Sequence, residues 1–165
     1  MKTLLHHAHV LVMDENNTEF PCGYLLTQDR EILEVGPIPE DGQLPEADRR
    51  IDCEGGLLLP GFVNLHAHAS MVPFRSMGDD CPDRLNRFLF PLERDALTPE
   101  LVRLGAMYGI CEMLLSGTTT FVDMYYFEDQ VAQACLDTGI RGFLGETVIS
   151  QCAPDSHEPD GGPKH

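Results

Sequence analysis

Two histidines separated by a single residue, His66 and His68, are the best candidates for chemistry in this sequence. In a β-strand, residues i and i+2 point to the same side, so both imidazole rings can approach one metal ion. Neutral imidazole is a ligand for zinc, iron and related divalent metals. The pair follows an apolar run at 57–65, which predicts a strand buried on both faces. In barrel enzymes the active site lies at the carboxyl end of such strands, so we expect a metal site here.

A second pair, His7 and His9, has the same spacing within the first predicted strand. This strand lies in what the pattern indicates is a peripheral part of the protein. We therefore interpret His7 and His9 as surface histidines and not as metal ligands.

The elements around His66 and His68 indicate a parallel α/β architecture. Thr98, Pro99 and Glu100 form a typical helix start, with a capping hydroxyl, a proline in the first turn and an acid at the positive end of the helix dipole. Gly117 ends this helix, a strand is predicted at 118–124, a helix at 128–138 and a strand at 140–149. The predicted buried stripe of the first helix consists of Leu101, Leu104, Tyr108, Cys111 and Leu115. Alternating strands and helices with short connections favour a parallel sheet.

The segment before residue 57 has a different pattern. It predicts a strand at 4–13, a hairpin between 23–27 and 31–35, and a short strand at 50–53, with loops rich in proline and glycine between them. We therefore expect two domains, at 1–56 and 57–165.

Composition narrows the class of protein. The chain has 165 residues, 42% of them hydrophobic, which is typical of a packed globular protein. Its formal net charge of -16 argues against nucleic acids and anionic membrane surfaces as partners. The six cysteines form no CxxC pair, which favours reduced thiols in a cytoplasmic protein. No apolar run is long enough to predict a membrane span, and homo-oligomerisation stays open.

A longer motif surrounds the histidine pair. The segment 60–68, PGFVNLHAH, resembles the first-strand motif of the amidohydrolase superfamily, and most closely its branch of cytosine-deaminase-like, chlorohydrolase and methylthioadenosine deaminase proteins. The similarity continues, in the family's order, at 74–75, 90–93, 116–120 and 121–125, and it covers most of residues 50–145. The resemblance implies a fold: the N-terminal part of a (β/α)8 barrel, preceded by strands of a small β-sandwich. Since such a barrel takes about 250 residues, we expect the chain to be truncated, with three of the eight β/α units.

The resemblance also implies an activity and a site. Members of this branch use one divalent metal ion to activate a water molecule, which hydrolyses an amino or other leaving group from an electron-poor carbon. By this similarity, His66 and His68 are metal ligands, with zinc as the expected metal and iron as the alternative. The remaining ligands and the proton-shuttling glutamate are expected beyond residue 165, and His157 and His165, in a loop rich in proline and glycine, are not assigned. The implied function is hydrolytic deamination of a small molecule: a nucleoside, nucleobase or related N-heterocycle.

Four further residues bear on the substrate. Glu93 matches a family glutamate that binds ribose hydroxyls, and its alternative is a surface carboxylate beside Arg94. Arg84 stands where relatives often carry tryptophan. Glu146 stands where an arginine can bind the carboxylate of S-adenosylhomocysteine, which makes that substrate doubtful. Asp123 is expected at the catalytic face, in support of the site.

Two alternatives remain beside the deaminase. Within the same superfamily, the chain is compatible with a chlorohydrolase or another ring hydrolase. Outside enzymes, it is compatible with an inactive fragment or a binding module without turnover.

Overall fold

The computed structural model describes residues 1–149 and 153–156, and the chain divides into two compact units between Pro60 and Gly61. His157 and His165 lie outside the described residues. The division lies four residues after the predicted boundary, and the assignment of domains at 1–56 and 57–165 stays a prediction. Within the described ranges, no helix has both the length and the apolar composition needed to cross a lipid bilayer.

The first unit is a five-stranded sheet with strand order β3-β2-β1-β4, in which β5 also pairs with β1. Its strands are β1 (Lys2–Leu11), β2 (Glu19–Gln28), β3 (Glu31–Pro37), β4 (Arg49–Asp52) and β5 (Leu57–Leu58). β1, β2 and β3 are antiparallel neighbours, whereas β4 and β5 run parallel to β1. Leu4 faces Leu26 across the central pair, and both side chains are buried. The predicted hairpin is confirmed, with Asp29 in its turn at a φ of 54°.

The second unit contains a parallel sheet with strand order β6-β7-β8. Its elements are β6 (Phe62–Ala67), a 3-10 helix (Ala69–Phe74), a π-helical turn (Leu85–Leu89), α1 (Phe90–Ala96), α2 (Pro99–Leu115), β7 (Thr118–Tyr125), α3 (Glu128–Thr138) and β8 (Arg141–Glu146). The predicted order of strands and helices from residue 98 onward is confirmed. Gly117 and Gly139 follow α2 and α3 at positive φ, as helix-ending glycines do.

The core of the second unit lies between β7 and the two longer helices. Val102 and Ile110 of α2, Phe121 of β7 and Val131 of α3 are completely buried in one cluster. Burial of a side chain of this size contributes about 1.5–3 kcal/mol. This cluster therefore fixes β7, from which the candidate site is built.

The prediction of a single buried strand at 57–65 is wrong. The run divides at Pro60 and Gly61: its first residues form β5 in the first sheet, and its last residues belong to β6 in the second. Within β6, Phe62, Val63 and Leu65 are exposed, Leu65 to 75% of its surface. The reason is the position of β6 at the edge of its sheet, where among the described residues it pairs only with β7.

The predicted buried stripe of α2 is also wrong. Leu104 and Tyr108 are 61% and 58% exposed, and Cys111 and Leu115 are exposed as well. The buried face consists instead of Val102, Gly105, Ala106, Gly109 and Ile110. Its two glycines explain the choice of face. A Cβ at Gly105 or Gly109 would lie 2.4–2.5 Å from a main-chain oxygen of Ser70 or Ala69, so only glycine allows this approach.

Candidate active site

His66 and His68 lie side by side at the carboxyl end of β6. His66 is the second-last residue of β6, and His68 directly follows the strand. The centres of their rings are 5.1 Å apart, at an angle of 78°. His66 is exposed and His68 is half-buried. The sequence predicted that both rings point to one side, and the structure places them there.

The orientation of His68 is set by a main-chain group of the neighbouring strand. Its Nδ1 lies 2.7 Å from the carbonyl oxygen of Met124, in β7. Because a carbonyl can only accept a hydrogen bond, Nδ1 must carry the proton and donate it. The neutral ring then keeps its lone pair on Nε2, which is the arrangement found in metal-binding histidines.

Asp123 holds the turn that follows His68. The N–H of Ala69 donates to both carboxylate oxygens of Asp123, at 3.2 and 3.1 Å, and the N–H of Met124 donates to Oδ1 at 3.1 Å. The side chain is 2% exposed, and burial raises its pKa despite the two N–H donors, which act in the opposite direction. Asp123 therefore fastens the end of β6 to β7, in the supporting place that the sequence indicated.

A cavity of about 410 Å³ opens beside His68. Most of its lining is apolar and includes Leu89 and Phe90, while Arg84, Glu93 and Tyr125 supply polar groups. This volume and this mixture are typical of sites for small organic ligands. The cavity is therefore large enough for a small organic ligand beside His68.

Glu93 is a buried residue of this cavity and not a surface carboxylate, so the surface alternative is wrong. It lies in α1 and is 4% exposed, while its neighbour Arg94 pairs with Asp95 at 2.7 Å. The hydroxyl of Tyr125 donates to Glu93 Oε1 at 2.8 Å. Desolvation raises the pKa of Glu93, against the lowering effect of this hydrogen bond. The same burial and the nearby Glu93 charge raise the pKa of Tyr125, which keeps its hydroxyl protonated as a donor.

Of the two other residues that the sequence linked to the substrate, Arg84 lies at the cavity and Glu146 lies beside the start of α3. Arg84 lines the cavity, and its Nε donates to the carbonyl oxygen of Met77 at 3.0 Å. Glu146 Oε2 instead accepts the N–H of Glu128 at 3.0 Å, at the start of α3. Glu146 is absent from the described residues that line the cavity. The geometry therefore gives no support to repulsion between Glu146 and a substrate carboxylate.

Two groups of this site were missed by the sequence analysis. The Met124 carbonyl is a main-chain atom, so no residue type signals it. Tyr125 was counted within a motif, but its contact with Glu93 spans 32 positions. That contact depends on how α1 packs beside β7, and a short helix after a 3-10 helix and a π-helical turn leaves no periodic signal.

Parallel strands alternating with helices, with the candidate site at their carboxyl ends, define an α/β protein of the barrel type. Residues 57–161 match the Amidohydrolase family. A 5-methylthioadenosine/S-adenosylhomocysteine deaminase from Syntrophus aciditrophicus is 38% identical over 162 residues, which are 97% of this chain and 37% of that protein. The chain belongs to the amidohydrolase family.

Solved structures agree with this assignment. An adenosine deaminase from Xanthomonas campestris with bound zinc superposes with a TM-score of 0.87 at 27% identity, over 96% of this chain and 36% of that one. An atrazine chlorohydrolase from Arthrobacter aurescens in complex with zinc gives 0.76 at 24% identity, over 90% and 36%, and this likeness shows the fold alone. The chain thus has the fold of the N-terminal part of the amidohydrolase barrel, as predicted, and it spans little more than a third of the length of these relatives.

Proposed function

We propose that this chain forms part of a metal-dependent aminohydrolase that deaminates a nucleoside, nucleobase or related N-heterocycle. The observation that carries the proposal is the arrangement of His66 and His68, with the His68 ring held by the Met124 carbonyl beside the cavity that contains Glu93. Two imidazoles on one side of a strand end, next to a mostly apolar cavity, suit a site in which a metal and a flat organic ring meet.

The residues present fit a zinc ion. His68 has Nε2 free for coordination, and its Nδ1 proton is already used, so binding would require no change of tautomer. Asp123 fixes the backbone between the two elements that hold this ring. When bound, zinc would lower the pKa of a water molecule to about 7 and so supply a nucleophile at neutral pH. The bound zinc of the adenosine deaminase relative supports the choice of metal.

Glu93 is the proposed substrate contact. Oε1 accepts the Tyr125 hydroxyl, and Glu93 lines the cavity beside His68, so its second oxygen is the proposed acceptor for a substrate. A carboxylate accepts hydrogen bonds strongly, so a sugar hydroxyl or a vicinal diol would be its natural donor. The relatives named as deaminases of 5-methylthioadenosine and adenosine support a ribonucleoside as the substrate.

The metal assignment is tested by measuring bound zinc in the intact natural protein that contains these residues. We expect the combined change His66→Ala and His68→Ala to remove one equivalent of zinc per chain. His9→Ala is the matched control, because His9 is a histidine of similar exposure that pairs with Glu19. Unchanged zinc content in the double variant would refute the assignment.

The activity is tested with the intact natural protein that contains these residues. We expect ammonia release from at least one member of a panel of purine and pyrimidine nucleosides and bases. Glu93→Gln should raise KM for a ribonucleoside by about tenfold or more, because a hydrogen bond to a charged acceptor contributes about 1.5–3 kcal/mol, and should affect the free base much less. Chloride release from a chlorotriazine without ammonia release would favour the chlorohydrolase instead.

A further inference from the structure

Three side chains of the first unit converge on one point, far along the chain from His66 and His68. His6 and His7 come from β1, and Asp52 ends β4, which pairs with β1 so that His6 faces Asp52. The Nδ1 atoms of His6 and His7 are 3.1 Å apart, and His7 Nδ1 is 3.0 Å from Asp52 Oδ2. All three ligand atoms lie within 4.8 Å of one another.

A β-bulge brings the two adjacent histidines together. In a regular strand, successive side chains point to opposite faces. Here, however, His6 faces Tyr24 and Ala8 faces Gly23, so His7 is an extra residue without a partner across β2. His7 has a φ of 53°, in the left-handed region that favours glycine. This strained conformation turns its ring towards that of His6, with the ring centres 4.6 Å apart.

One proton on His7 Nδ1 cannot fully serve both of its contacts. If His7 Nδ1 carries a proton, it has one N–H to share between His6 Nδ1 and Asp52 Oδ2. If His7 Nδ1 is unprotonated, its lone pair faces the carboxylate. A cation at the centre would instead accept lone pairs from all three atoms at once.

The spacing also suits a metal ion. With bonds of about 2.0–2.1 Å in a tetrahedron, neighbouring ligand atoms are about 3.3 Å apart, close to the two separations observed here. Asp52 Oδ1 already accepts the N–H of Glu54 at 2.9 Å, which directs Oδ2 towards the histidines. About half of each of the His7 and Asp52 side chains is exposed, so an ion can reach them.

We propose that His6, His7 and Asp52 form a second metal site, which binds zinc with two imidazoles and one carboxylate and leaves a fourth position for water. The ion would cross-link β1 and β4 and so connect two positions that lie 45 residues apart in the sequence. Its role is structural: a metal that binds only the folded chain stabilises it. The proposal does not depend on the proposed deaminase activity.

The test uses the full chain carrying His66→Ala and His68→Ala, here called the starting variant, so that zinc bound at the other candidate site does not contribute. Each further change is added to this variant. Isothermal titration with zinc chloride should show one equivalent per chain. His7→Gly removes a ligand but suits the positive φ, so it should preserve folding while weakening zinc binding at least tenfold. Asp52→Asn should do the same, since it keeps an acceptor for the Glu54 N–H. His9→Gln, on the same strand, should leave the affinity unchanged.

Thermal unfolding is a second, independent measurement of zinc binding at this site. Added zinc should raise the Tm of the starting variant and leave that of the His7→Gly protein unchanged. If the starting variant does not fold, the wild-type chain is titrated instead, and His7→Gly should then lower the zinc content by one equivalent. Absence of zinc binding in a folded starting variant, or full affinity in both the His7→Gly and Asp52→Asn proteins, would overturn the proposal.

Discussion

Replacement of Glu128 by glutamine should remove much of the pH dependence of the unfolding free energy between pH 5 and 8. Glu128 is in the first turn of α3 and is 6% exposed. Desolvation, followed by the charges of Asp123 and Glu146, raises its pKa from 4.5 to about 8. The side chain is thus protonated at neutral pH in the folded chain but ionised in the unfolded chain.

The sign of the effect follows from proton linkage. Below the unfolded pKa of about 4.5, Glu128 is protonated in both states and its contribution to stability is complete. As the pH rises towards 8, the unfolded state gains stability by releasing a proton that the folded state still holds. At about 1.4 kcal/mol per pH unit, the loss reaches at most about 5 kcal/mol. Glutamine does not ionise, so the variant should be more stable than the wild type at pH 8 by a few kcal/mol.

The assay is urea denaturation followed by circular dichroism at pH 5, 6, 7 and 8. The informative quantity is the difference between the wild type and Glu128→Gln at each pH, because titrating groups that do not interact with Glu128 contribute equally to both. Asp129→Asn is the matched control: Asp129 is the next residue of α3 but is exposed, so this change should keep the wild-type pH dependence. An equal pH dependence in the wild type and Glu128→Gln would refute the reasoning.

Three further changes test the structure around the site. Thr98→Ala should lower the unfolding free energy by about 1 kcal/mol, and Thr98→Ser should restore it, because the hydroxyl caps α2; urea denaturation measures both. Gly105→Ala should cost about 2 kcal/mol by the same assay, since its Cβ would overlap the Ser70 carbonyl by more than the helical preference of alanine offsets. Asp123→Asn should weaken zinc binding at His68 by about 10–100-fold in a calorimetric titration, because an amide is uncharged and offers one acceptor oxygen where the carboxylate offers two to the Ala69 and Met124 N–H groups.

The second half of the fold was predictable because its elements carry strong local signals. α3 has acids in its first turn and Gly139 at its end, and β7 and β8 are short runs on either side of it. Such signals depend on the residues of one element and need no knowledge of its neighbours. The histidine pair belongs to the same category, because a spacing of two is a property of the strand itself.

The errors arose where the deciding contact is made by small groups or by the backbone. On α2, the predicted stripe counted large apolar side chains, whereas the real interface is centred on Gly105 and Gly109, which have no hydrophobic signal. Position 7 shows the same limit in another form. The sequence indicated surface histidines at His7 and His9, and both side chains are partly exposed, but it could not give their partners: the bulge places His7 beside Asp52, and His9 pairs with Glu19 at 2.6 Å. Only the folded sheet brings position 52 beside position 7.

The hydrogen bond from His68 to the carbonyl of Met124 has a consequence for how this site tolerates mutation. Every residue type has a main-chain carbonyl, so no substitution at position 124 deletes the acceptor, provided that β7 keeps its register. The Met124 side chain, which is exposed in part and also lines the cavity, is then free to change with the ligand. The site thus separates two demands within one residue: the backbone preserves the histidine geometry, and the side chain offers a position at which substrate preference can diverge.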